Sequence, residues 1–157
     1  MTVRRFAAVL VLLAVVAVPK TGQALYGLID GSQPSHVLDV AQLVGEAALG
    51  LDGAGDPMIR GRIGRHDYRI YFYGCRQGTA CKNLTFAATW ESDHYSDRSM
   101  GDWNRSRRFG TAYIDDSGNP TLAMTLNLHG GISRWSLEES FDWWRVLMDE
   151  FSEYFGF

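Results

Sequence analysis

The most reactive side chains in the sequence are two cysteines, Cys75 and Cys81, in the stretch Tyr-Gly-Cys-Arg-Gln-Gly-Thr-Ala-Cys-Lys. Five residues separate them, which is neither the C-x-x-C spacing of a redox pair nor the spacing of a zinc knuckle. Gly78 lets the loop turn back, and two strands joined by a short loop bring paired residues within bridging distance. The chemistry expected is a structural disulfide. The four histidines, His36, His66, His94 and His129, stand in separate segments and form neither H-x-x-x-H nor H-E-x-x-H. His94 lies near Asp93 and Asp97, a grouping that a solvated loop accounts for. Asp115-Asp116-Ser-Gly-Asn is similar to part of a calcium loop but lacks the distal bidentate glutamate. It reads as a hairpin turn. The chain has no G-x-S-x-G and no phosphate loop. An enzyme needs a nucleophile, base or metal in convergent geometry. The expectation is a non-enzymatic protein with no cofactor and no metal ligands.

Aromatic residues are the one unusual feature: five Trp, seven Tyr and eight Phe. Phe72, Phe86, Trp144 and Phe151 are expected in the core. Adjacent Trp143 and Trp144 point about 100° apart on a helix, so both cannot occupy the centre of a narrow buried stripe. Trp143 is then assigned to a boundary, and Trp103 and Trp135 begin or precede helices. Trp is common at interfaces because one end is apolar and the other polar. Trp103, Trp135 and Trp143 are the expected interaction surface.

Periodicity supplies the elements that position these residues. Ser35 opens a helix expected to run to about Leu49, with Val37, Val40, Ala41, Val44, Ala47 and Ala48 on one face. Met58 to Ile63 is a short strand. Tyr68, Ile70 and Phe72 alternate with Arg69, Tyr71 and Tyr73, and Leu84, Phe86, Ala88 and Trp90 alternate likewise after the cysteine loop. Residues 102–108 suggest a short helix capped by Asp102. Ala112 to Ile114 and Leu122 to Leu128 form a hairpin. Ser136 and Glu139 have the spacing of a capping box at the start of a last helix, whose stripe is Leu137, Phe141, Trp144, Met148, Phe151 and Phe155. The expected order is α-β-β-β-α-β-β-α, an α+β domain with helices packed on one antiparallel sheet.

At the N-terminus, Arg4 and Arg5 precede thirteen consecutive apolar residues, Phe6 to Val18. Pro19 ends the run, and Gly22-Gln23-Ala24 places small residues at −3 and −1 of a cleavage site. This is the three-part order of a secretory signal, and the run is short of the roughly 20 apolar residues that a membrane span needs. The organisation expected is a signal peptide at 1–24 cleaved after Ala24, a leader at 25–36 and one domain at 37–157. The location is then the periplasm or the exterior, with no stable membrane span after processing. Cleavage leaves 133 residues with 12 Lys and Arg against 18 Asp and Glu, a charge of −6. An acidic surface speaks against nucleic acid, whose phosphates require cationic partners.

Tyr-Arg-Ile-Tyr-Phe-Tyr-Gly-Cys, then Asn-Leu-Thr-Phe-Ala-Ala-Thr-Trp, Asp-Trp-Asn, Arg-Arg-Phe-Gly-Thr-Ala-Tyr and Leu-Asn-Leu-His-Gly-Gly-Ile-Ser follow one another in an order that resembles the YbjN-domain proteins of bacteria. The likeness covers about residues 37 to 155. It implies a sensory transduction regulator with a fold similar to the type III secretion chaperones. Those are cytoplasmic dimers that bind extended segments of partner proteins, and the export signal departs from that setting. The resemblance brings no catalytic residues with it. The function expected is an exported protein-interaction module, chaperone-like or regulatory, with a partner of unspecified identity and with a homodimer among the arrangements open to it. The alternative is a periplasmic small-ligand-binding domain with an aromatic pocket. A concave pocket with convergent polar groups favours the alternative, and a flat apolar patch or an open sheet edge favours the first.

Overall fold

The computed structural model describes residues 27–157; the expected signal peptide at 1–24 lies outside the described residues. The elements are α1 (Pro34–Val44), β1 (Glu46–Leu51), β2 (Pro57–Ile63), β3 (His66–Tyr73), β4 (Asn83–Thr89), α2 (Asp97–Ser106), β5 (Thr111–Ile114), β6 (Pro120–Asn127) and α3 (Arg134–Phe155). All six strands join one antiparallel sheet in the order β1-β2-β3-β4-β6-β5. This is the α+β class read from the sequence, with one strand more than its periodicity indicated.

The extra strand replaces the end of the expected first helix, which stops at Val44 rather than Leu49. Gly45 is extended and presses on β2, where a Cβ would overlap the Arg62 carbonyl. From there the chain pairs with β2 from Glu46 opposite Arg62 to Leu51 opposite Pro57. Glu-Ala-Ala-Leu favours a helix locally, but propensity is a weak term that tertiary pairing overrides. Two helix starts also move. The second helix begins at Asp97, five residues before the expected cap at Asp102, and its N-cap position is Ser96. The last helix is capped by Ser133, whose Oγ accepts the Ser136 N–H at 3.0 Å. Ser136, the expected cap, is the third residue inside it. Gly156 ends α3 in the left-handed conformation at φ 77°, with its N–H on the Ser152 carbonyl.

The core lies between the helices and one face of the sheet. Ile59, Ile70, Phe72, Leu84, Phe86 and Leu122 point inward from the strands, and Val37, Val40 and Ala41 of α1 cover them from one side. The buried stripe of α3 is the one its spacing predicted: Leu137, Phe141, Trp144, Met148, Phe151 and Phe155. Phe86 meets Phe141 and Trp144 with ring centroids 5.0 and 5.7 Å apart. Each such side chain contributes about 1.5–3 kcal/mol by leaving water. Cys75 and Cys81 are joined by a disulfide that closes the β3–β4 turn.

The two sheet edges differ. At β5, Asn104 of α2 donates from Nδ2 to the Ala112 carbonyl and accepts the Ala112 N–H on Oδ1. A side-chain amide thus takes the place of a neighbouring strand. At β1 the side-chain bond among the described residues is a single one, from Gln42 Nε2 to the Ala47 carbonyl at 3.2 Å.

Candidate functional site

Along β3 the alternation that buries His66, Tyr68, Ile70 and Phe72 sends Asp67, Arg69, Tyr71 and Tyr73 to the opposite face. The sheet register extends that face on both sides. Arg69 stands between Arg60 of β2 and Ala87 of β4, and Ala87 in turn faces Ala123 of β6. Tyr113 of β5 lies opposite Thr121, which lies opposite Thr89. Among the described residues no helix packs on this side. The small Ala87, with Thr89 and Thr121, lies between the tyrosines. The result is a trough of about 750 Å³, lined by Arg60, Arg69, Tyr71, Tyr73, Tyr113 and Thr121 among others. A shallower depression of about 470 Å³ continues it over β1 and β2 and shares Arg60, Gly61 and Asp67 with it.

Hydroxyl pairs Thr85–Thr125 at 3.0 Å and Thr89–Thr121 at 2.9 Å tie β4 to β6 on this face. The Tyr71 and Tyr73 rings are stacked with centroids 6.3 Å apart. Burial pushes the Tyr73 and Tyr113 phenols above their ordinary values; Tyr71 beside Tyr73, and Tyr73 beside Tyr113, raise these two further. They therefore stay protonated and available as hydrogen-bond donors.

Arg62 grips Asp67 through two contacts of 2.6 and 3.0 Å. That hydrogen-bonded pairing holds the Asp67 carboxyl below the usual range. Arg60 and Arg69 are direct cross-strand neighbours, and neither has an ion pair among the described residues. Like charges directly opposite one another are unfavourable, so this end of the trough carries an excess of positive charge, three arginines (Arg60, Arg62 and Arg69) to Asp67. Glu91 and Asp115 lie at the other end. Asp115 is already engaged, its Oδ1 accepting the N–H groups of Ser117 and Asn119 in the β5–β6 turn. The lining has no histidine, cysteine or serine to serve as base or nucleophile. It offers phenol rings for stacking, and phenol and guanidinium donors for anchoring.

The residues singled out from the sequence lie elsewhere. Trp103 is fully buried, which removes it from the expected interaction surface. Because α2 starts at Asp97, Trp103 falls one turn after Met100 on the inward face and packs edge-on against Phe151 at 5.3 Å. The Arg107 guanidinium closes over its ring. Trp135 and Trp143 are 68% and 49% exposed. They lie on α3, across the sheet from the trough, and Trp143 lies against Phe109 with centroids 5.1 Å apart. The sequence reading missed Arg60, Arg69, Tyr71, Tyr73 and Tyr113 as a group. The outward half of the β3 alternation was their available signal.

The family model for YbjN, described as "Putative bacterial sensory transduction regulator", matches residues 35–157. No curated protein matches the chain. The matched span takes in every residue of the trough and, but for Pro34 at the start of α1, all nine elements of the fold. The description is that of a regulator and names no reaction.

Proposed function

The chain belongs to the YbjN family, and from that premise we propose that it is an exported, non-enzymatic interaction module that holds a segment of a partner protein on the helix-free face of its sheet. The observation that carries this reading is the composition of that face. Three tyrosines and two unpaired arginines surround alanine and threonine residues, and no described element covers them. Tyrosine and arginine are the residue types, with tryptophan, that dominate binding hot spots. An extended peptide fits a trough that runs across several strands. Holding such a segment is what a chaperone-like or regulatory protein would do. Export is supported by the signal-like order of residues 1–24 and by the Cys75–Cys81 bond, since disulfides persist in oxidising compartments.

Capture from a periplasmic extract tests the reading. Wild type is compared with a Tyr73→Ala/Tyr113→Ala double variant and with Trp143→Ala. Loss of the captured partner in the tyrosine variant alone is the expected result. Loss in Trp143→Ala alone would move the binding surface to α3. The small-ligand alternative has one observation in its favour: the trough volume lies within the roughly 300–1,000 Å³ of ligand sites. Ligand-induced thermal stabilisation that the tyrosine variant abolishes, with no protein captured, would select it.

A further inference from the structure

The open edge of β1 is lightly guarded, with a single side-chain bond, from Gln42 to the Ala47 carbonyl, among the described residues. Glu46-Ala-Ala-Leu-Gly-Leu51 carries no lysine and no proline, and unguarded edges recruit another strand. The same sheet closes its other edge with Asn104. Leu49 and Leu51 are 42% and 63% exposed, on the helix side of the strand, and Leu43 at the end of α1 is exposed beside them. Two charges nearby are also unspent. Glu46 faces Arg62, but Arg62 is taken by Asp67. Arg60 lies over Gly50, with its Nη1 3.7 Å from where a Gly50 Cβ would be. Neither Glu46 nor Arg60 has an ion pair among the described residues.

We propose that two copies of the chain pair through β1, antiparallel about a twofold axis at Ala48, into one continuous sheet. A symmetric pairing that keeps both helix layers on the same side must be centred on a residue, because a one-residue slip turns every side chain to the other face. Centring on Leu49 sets Glu46 against Asp52 of the second copy, two like charges. Centring on Ala48 sets Glu46 against Gly50 of the second copy, over which that copy's Arg60 lies. The twofold axis makes this Glu46–Arg60 pair twice. The same register places Ala47 against Leu49, and Gly45 against Leu51. The two troughs then open on one side of a single sheet, and the interface is isologous.

Sedimentation velocity of the exported protein over a range of concentrations reads the result. Wild type should be a dimer. Ala48→Lys sets two like charges face to face at the axis and should weaken dimerisation at least about tenfold. Ala48 is exposed, so circular dichroism should show the monomer fold kept. Glu46→Arg and Arg60→Glu should each weaken the dimer, and the double swap should restore it. A wild type that stays monomeric at every concentration overturns the proposal. So does a dimer indifferent to Ala48→Lys, or a double swap no better than its single variants. A β1 edge bound by a different protein instead would appear as a monomer alone and a complex only on mixing, which also overturns it.

Discussion

Asn104 completes the sheet edge at Ala112, with Nδ2 2.9 Å from the Ala112 carbonyl oxygen and Oδ1 2.7 Å from its amide nitrogen. The bonds join α2 to β5 on a four-residue strand that has β6 as its only sheet neighbour among the described residues. Asn104→Ala removes both and leaves the Ala112 backbone groups partnerless beside the core. Removing one partner of a buried bond costs about 1–3 kcal/mol, so a loss of about 2 kcal/mol is expected in urea unfolding. Asn104→Asp keeps the acceptor and loses the donor, and should recover less than half of it.

Tyr68 makes the opposite case, since its hydroxyl is buried without a hydrogen-bond partner among the described residues. Its ring covers Gly61 and meets Phe141 edge-on at 6.4 Å. Tyr68→Phe keeps that packing and removes the unpaired group, so it should be neutral or stabilising by up to about 1 kcal/mol. Burial pushes the Tyr68 phenol up to about 12, against about 10 in an unfolded chain. The folded state therefore holds the proton where the unfolded state has lost it. The stability this contributes is intact below pH 10 and falls as the pH rises from about 10 toward 12. Wild type should lose more stability than Tyr68→Phe across that window in parallel urea titrations; equal slopes would refute the assignment.

The adjacent tryptophans of α3 should separate cleanly. Trp144 is fully buried against Phe86, and Trp143 is half-exposed against Phe109. Trp144→Ala opens a cavity and should cost about 3–5 kcal/mol. Trp143→Ala loses mainly an aromatic pair, worth about 1 kcal/mol. Thermal melts of the two variants decide it, and equal losses would contradict the burial difference.

Breaking the Cys75–Cys81 bond should cost about 2 kcal/mol, because the loop it closes is short and the entropy withheld from the unfolded chain is correspondingly small. Cys75→Ala and reduced wild type should unfold at the same urea midpoint. Free thiols found by alkylation in the native protein would contradict the bond itself.

Strand interiors and the α3 stripe were legible because burial on one face imposes a period that the side chains must follow. What depended on distant partners was not legible. Ala47 and Ala48 fit a helical stripe as well as a strand, and it is pairing with β2, reached through the close approach of Gly45 to the Arg62 carbonyl, that makes them a strand. Trp103 looked peripheral because α2 was started five residues late, which rotated the face it occupies. The trough is spread over Arg60, Tyr71 and Tyr113, each on a different strand. Their convergence follows from β4 pairing with β6 rather than β5, an adjacency with no local signature.

That adjacency also sets the order in which the molecule can assemble. β1 to β4 are joined in sequence by short turns, and β5 to β6 by a hairpin, so both pieces close cheaply from nearby residues. The β4–β6 seam is the one strand pairing that must wait for a long loop to close, and loop closure before contact is what slows folding. Until it forms, Phe86 has neither Met124 beside it nor α3 above it, and β4 is a bare, apolar edge. In a chain emerging N-terminus first, this is the interval in which it is most exposed to aggregation or to capture by a folding factor.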